Sequence, residues 1–125
     1  MILIKNAQVF APKALGKKDV LLAYDKILEI ADCIEPWRDD LTVIDAAGKM
    51  LVPGFIDQHV HIVGGGGEGG FNTRTPEFQL SKAVTSGVTT LVGLLGTDGY
   101  TKSPELLLAK TKALNNEGIT AYCLT

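Results

Sequence analysis

Apolar residues in the first 53 positions come in short runs: Ile2-Leu3-Ile4, Gln8-Val9-Phe10, Val20-Leu21-Leu22-Ala23, Ile27-Leu28-Glu29-Ile30, Leu41-Thr42-Val43-Ile44 and Met50-Leu51-Val52. Turn-prone or polar residues such as Asp25-Lys26, Asp39-Asp40 and Gly48-Lys49 separate them. Runs of this length predict strands, and the whole segment predicts a β-meander or half of a β-sandwich. A sheet of such short strands wants a partner to cover its apolar face. The pattern changes after Pro53-Gly54. Thr75-Pro76-Glu77 has the order of a helix start, with Thr as N-cap and Pro at the first helical position. Leu80, Ala83 and Val84 continue it at helical spacing, and Gly87 stops it. Val88 to Leu95 is apolar without polar alternation, the signature of a parallel strand buried on both faces. Ser103-Pro104-Glu105 repeats the start signal, Gly118 repeats the stop, and Ile119 to Leu124 supplies another strand.

With Phe55 to Ile62 as the first strand, residues 54–125 predict β-α-β-α-β, a parallel sheet with right-handed crossovers. The expected fold class is therefore α/β, in two parts: residues 1–53 as N-terminal strands of a β-sandwich domain, and 54–125 as the first units of a TIM-like (β/α)8 barrel, incomplete within this chain. A small open three-stranded sheet is the alternative reading.

Charge excludes one class of partner. The 125 residues hold 12 Lys+Arg against 14 Asp+Glu, shared evenly between the two parts, so there is no basic surplus to neutralise phosphates and no nucleic-acid partner is expected. The longest charge-free stretch, Ala83 to Thr97, is 15 residues and falls short of a membrane span; the N-terminus lacks the features of a signal peptide. A cytoplasmic protein without membrane attachment is the expectation. Cys33 and Cys123 lack CxxC spacing and read as two reduced, buried thiols.

Both histidines of the chain lie in Phe55-Ile56-Asp57-Gln58-His59-Val60-His61, at i and i+2. On a strand, alternate side chains share a face, so His59 and His61 are expected to project together, with Asp57 and Phe55 beside them. Two imidazoles at the C-terminal end of a parallel strand make half a metal site, and a zinc site needs further ligands from elsewhere. Asp57 reads equally as support for the histidines or as a satisfied core carboxylate. Gly64-Gly65-Gly66-Gly67-Glu68-Gly69-Gly70 follows, holding six of the 14 glycines. Such a loop can bring backbone groups close to a ligand, and Glu68, its one charge, suits a substrate ammonium. There is no GK[ST] ending, which argues against a phosphate loop. The next strand ends in Gly96-Thr97-Asp98-Gly99, where Thr97 can offer a hydroxyl and Asp98 can cap the turn. Arg74 can pair with a substrate carboxylate or a neighbouring acid; its spacing does not decide between them.

Leu51 to His61 resembles the barrel entry of the amidohydrolase superfamily of metal-dependent hydrolases. Gly64 to Glu68, Thr73 to Glu77, Val92 to Asp98 and Glu105 to Ile119 are similar, more narrowly, to the isoaspartyl dipeptidase family. The resemblance covers the first third of that family's length. It implies a binuclear zinc peptidase that cleaves the β-aspartyl bond of dipeptides carrying an N-terminal isoaspartate, working as a homo-oligomer, an octamer, when intact. By the same resemblance His59 and His61 hold the more buried zinc ion, Glu68 receives the substrate α-amino group, and Gly66 and Thr97 contact the aspartyl part. The bridging carboxylated lysine, two further histidines, the general base and a carbonyl-polarising tyrosine of that family have no counterparts up to Thr125. The expectation is a segment that carries no catalytic residue and is inactive alone. Two alternatives remain: an amidohydrolase acting on cyclic amides, and a non-catalytic metal-binding α/β module.

Overall fold

The computed structural model describes residues 1–124, which form two compact units, 1–53 and 54–124. The first is a mixed sheet of five strands: β1 (Ile2–Phe10), β2 (Ala14–Ala23), β3 (Lys26–Ala31), β4 (Thr42–Asp45) and β5 (Met50–Leu51). Their order is β3-β2-β1-β4, with β5 also on β1. The two apolar runs expected as separate strands, Ile2-Leu3-Ile4 and Gln8-Val9-Phe10, are one strand. The polar residues between them make a bulge, with Asn6 at φ 58°, a region that Asn tolerates. Ile4 pairs with Val20 and Ala7 with Lys18, so one extra residue sits in β1 and switches its faces. Leu3 accordingly packs with Leu21 and Ile34, whereas Ala7 and Val9 pack with Val20 in a different cluster.

Asp19 fastens this bulge. Its buried carboxylate accepts from Asn6 N at 2.8 Å and Ile34 N at 3.0 Å, and pairs with Lys5 Nζ at 3.0 Å. The sheet is not a simple meander. β1, β2 and β3 run antiparallel in succession, but β4 and β5 lie parallel to β1. A parallel return needs a longer connection than a hairpin, and residues 32–41 supply it. Cys33 lies in that connection and is exposed, not buried as expected; its thiol donates to Glu35 Oε1 at 3.3 Å.

The second unit is a parallel sheet in the order β6 (Phe55–Val60), β7 (Val88–Gly93), β8 (Thr120–Cys123), joined by helices α1 (Leu80–Thr85) and α2 (Pro104–Asn116). Val60, Ile62, Leu91 and Ala121 form one core with Ala83 of α1 and Leu107 and Leu114 of α2. α2 begins as its sequence predicts: Ser103 Oγ accepts from Leu106 N at 3.2 Å, Pro104 opens the helix, and Gly118 follows its end at φ 101°. Asn115 then pairs with both backbone groups of Ala121, at 2.8 and 3.0 Å, and so holds β8 to the helix.

α1 departs from expectation at its start. Thr75-Pro76-Glu77 is not helical, and Gln79 is the N-cap, with no side-chain capping bond. The donors that would begin the helix are committed to the chain after β6: Thr75 N donates to Gly65 O at 2.8 Å and Phe78 N to Ile62 O at 3.0 Å. The Thr75 hydroxyl accepts from Gly65 N at 2.9 Å and contacts Gly65 O at 3.1 Å. Thr75 therefore ties down the glycine-rich loop instead of capping a helix. No helix among the described residues is long and apolar enough to cross a membrane.

Candidate active site

The site collects at the C-terminal ends of β6 and β7. On β6, Asp57 pairs with Leu91 and Val60 with Gly93, so the strand carries one extra residue between these positions. Leu91 and Gly93 share a face of β7; Asp57 and Val60 therefore share one too, although three positions apart. His59 and His61 flank Val60 and fall on the opposite face. Their rings meet edge to face with centroids 5.3 Å apart. The histidines thus stand together as expected, but Asp57 does not stand with them. It accepts from His59 N at 3.2 Å and so braces the bulge that turns His59 over.

Glycine makes room for the His61 ring. A Cβ on Gly65 would come within 3.1 Å of His61 Cδ2, and one on Gly96 within 3.5 Å of its Nδ1. That Nδ1 is buried and has no hydrogen-bond partner among the described residues. A buried imidazole nitrogen left unpaired is costly. Two adjacent imidazoles on a strand end, one of them with a bare buried nitrogen, fit a metal ion with nitrogen ligands. Among the described residues no group of three or more His, Cys, Asp or Glu is arranged to hold a metal.

The glycine-rich loop then turns back on itself. Gly64, Gly66 and Gly67 have φ of 87°, 77° and 102°, and a Cβ on Gly66 would lie 2.6 Å from Thr73 O. This turn carries Glu68 to the end of β7, where Thr97 Oγ1 donates to Glu68 Oε1 at 2.8 Å. The backbone N–H of Glu68 and the Thr97 hydroxyl together hold the Glu68 carboxyl below its ordinary pKa, with a smaller contribution from His61 and against the effect of burial. Among the described residues no Lys or Arg pairs with Glu68. Its negative charge is left to a cleft of about 270 Å³ that Glu68 and Thr97 line together with Gly67, Phe71 and Tyr100.

Arg74 takes the neighbouring acid. Its Nη1 donates to Asp98 Oδ2 at 3.3 Å and to Thr101 Oγ1 at 2.9 Å, and its Nε donates to Phe71 O at 3.1 Å. The Thr101 hydroxyl also donates to Asp98, as do the backbone N–H groups of Thr101 and Tyr100 at 3.0 and 3.2 Å. The Thr101 hydroxyl and N–H, seconded by Arg74 and Tyr100 N, hold the Asp98 carboxyl down to about 2 against burial. The sequence alone makes Thr75 a helix cap and gives Thr101 no role. The letters around Thr75 spell a helix cap, and nothing near Thr101 distinguishes it from a loop threonine.

The model of the amidohydrolase family matches residues 42–114. The chain belongs to the amidohydrolase family. Several members with known names or structures are similar to this amidohydrolase chain. A solved β-aspartyl dipeptidase from Fervidobacterium islandicum AW-1, in complex with the β-Asp-Leu dipeptide, is 49% identical, with a TM-score of 0.85 over 99% of this chain and 32% of that one. A dihydroorotase of Listeria monocytogenes is 37% identical over 108 residues, 86% of this chain and 24% of that enzyme. A solved D-hydantoinase from Thermus sp. is 26% identical, with a TM-score of 0.64 over 93% of this chain and 24% of that one. The amidohydrolase chain thus spans about a third or less of the length of these relatives.

Proposed function

We propose that this chain is the N-terminal segment of a metal-dependent dipeptidase that hydrolyses the β-aspartyl bond of dipeptides with an N-terminal isoaspartate. The observation that carries this reading is an unneutralised carboxylate, Glu68, bonded to Thr97 in a cleft at the strand ends that also carry the histidine pair. An isoaspartyl dipeptide brings an α-ammonium and an α-carboxylate on one carbon. In this reading Glu68 accepts the ammonium, while Thr97 and the backbone of Gly66 bind the aspartyl part and fix the register of the scissile amide. The 49% identity to a dipeptidase holding β-Asp-Leu supports the same assignment.

His59 and His61 are the residues of this chain that would hold metal, zinc in our reading, one of two ions in the intact enzyme. When bound, such ions supply Lewis-acid activation of water and of the amide carbonyl. The contribution of this chain is to bind and orient: Asp57 sets the His59 backbone, Gly65 and Gly96 hold the His61 ring, and Glu68 places the substrate. We assign no proton transfer to any of its residues, and the segment alone is proposed to be inactive.

The similarity to dihydroorotases favours a second reading, an amidohydrolase acting on a cyclic amide. Glu68 separates the two, because dihydroorotate has a carboxylate and no ammonium to pair with it. In the full-length, zinc-loaded enzyme, Glu68→Gln is expected to lower kcat/KM for β-Asp-Leu on the order of 10- to 100-fold, the range of a lost charge-assisted contact. Unchanged kinetics on β-Asp-Leu would remove the ammonium role.

A further inference from the structure

The cleft holds a second carboxylate, Asp98, next to Thr97 in sequence. Two acids beside one ammonium site pose a problem: each can attract the cation, and only one position places the scissile amide correctly. The structure treats them unequally. Glu68 takes one side-chain donor, Thr97, and no cation among the described residues. Asp98 is engaged by the Thr101 hydroxyl, two backbone N–H groups and the Arg74 guanidinium, and its side chain is only 6% exposed.

Arg74 does more than neutralise. Its Nε donates to Phe71 O, directly after the glycine-rich loop, and its guanidinium lies 5.4 Å from the Phe71 ring centroid. Its Nη1 reaches the segment after β7 through Asp98 and Thr101. Its stem lies under Gly67, where an added Cβ would stand 3.3 Å from Arg74 Cγ and 3.9 Å from Asp98 Cβ. One side chain therefore ties the segment carrying Glu68 to the segment carrying Thr97. The fork geometry of a guanidinium lets it bond both at once, which the single ammonium of a lysine does less well.

We propose that Arg74 and Asp98 are positioning residues for ammonium recognition: their pairing removes Asp98 as a competing anion and keeps Glu68 and Thr97 in contact, so that Glu68 alone reads the α-amino group. This rests on the isoaspartyl dipeptidase reading. Neither residue touches the reacting atoms. The pair governs discrimination between substrates with and without the ammonium, not the rate of bond cleavage itself.

The test uses the full-length, zinc-loaded enzyme and two substrates with the same scissile amide: β-Asp-Leu, and succinyl-leucine, which lacks only the α-amino group. The variants are Arg74→Met and the near-isosteric Asp98→Asn, each checked for zinc content and melting temperature. The wild type is expected to favour β-Asp-Leu. Arg74→Met is expected to reduce that preference about tenfold or more, chiefly through KM for β-Asp-Leu, while turnover of succinyl-leucine changes by less than about threefold. Asp98→Asn is expected to move the preference in the same direction, because the loop tie is lost although the competing charge is gone. If both variants retain the wild-type preference, or lose activity on the two substrates in parallel, the positioning role is overturned and the dipeptidase reading stands. If the wild type itself fails to cleave β-Asp-Leu, the dipeptidase reading falls and takes this inference with it.

Discussion

Thr97 Oγ1 donates to Glu68 Oε1 at 2.8 Å across 29 positions of sequence. This bond joins the loop after β6 to the end of β7 and makes one site of two strand ends. Thr97→Val keeps the shape and removes the donor. It is expected to lower kcat/KM for β-Asp-Leu about tenfold, with Thr97→Ser staying within about threefold of wild type, in steady-state kinetics on the full-length enzyme.

The histidine pair predicts metal content. With two adjacent rings and a bare buried nitrogen on His61, either His59→Asn or His61→Asn is expected to lower bound zinc per chain in the full-length protein, read by plasma mass spectrometry after dialysis. Full zinc occupancy in both variants would mean that the pair is not a ligand set.

Gly66 predicts a backbone effect. Any side chain there combines a φ of 77° with a Cβ 2.6 Å from Thr73 O. Gly66→Ala is expected to open the 64–75 loop, seen as faster proteolytic cleavage within it. Gly99→Ala, with nothing within 4 Å of its Cβ, is expected to leave that rate unchanged.

Asp19 predicts a pH dependence. Burial tends to raise its pKa, but the N–H groups of Ile34 and Asn6 and the Lys5 ammonium outweigh it and depress the folded-state value below 3.8. A group depressed on folding contributes stability above its unfolded pKa and loses it as the pH falls through the folded one. The melting temperature is therefore expected to drop as the pH is lowered from about 4. Asp19→Asn is expected to cost about 2–3 kcal/mol at neutral pH and to flatten that acid limb. An Asp19→Asn protein with an unaltered acid limb would contradict this account.

Much of this was legible because each element was signalled locally. Ser103-Pro104-Glu105 starts a helix and Gly118 follows its end, and the apolar run from Val88 contains a strand. The structure also brings Glu68 to Thr97 and His59 to His61, residues singled out in the sequence for their chemistry. What escaped the sequence follows from three physical causes. Alternation assigns faces only on a regular strand, and the extra residues at Asn6 and between Asp57 and Val60 invert it; a bulge leaves no hydrophobic signature. The second cause is competition for donors. Thr75-Pro76-Glu77 and Ser103-Pro104-Glu105 carry the same cap signal, but the N–H groups of Thr75 and Phe78 are taken by Gly65 O and Ile62 O, and the Thr75 hydroxyl by Gly65 N. The pairing of Arg74 with Asp98 needs two loops folded onto each other, and neither loop specifies that alone.

Leucine release from β-Asp-Leu by the full-length, zinc-loaded enzyme, run beside dihydroorotate and hydantoin under the same conditions, decides between the dipeptidase and the cyclic-amide readings. Rapid release from β-Asp-Leu and no ring opening of either cyclic amide are expected. Turnover of dihydroorotate or hydantoin with β-Asp-Leu left intact would contradict the dipeptidase reading.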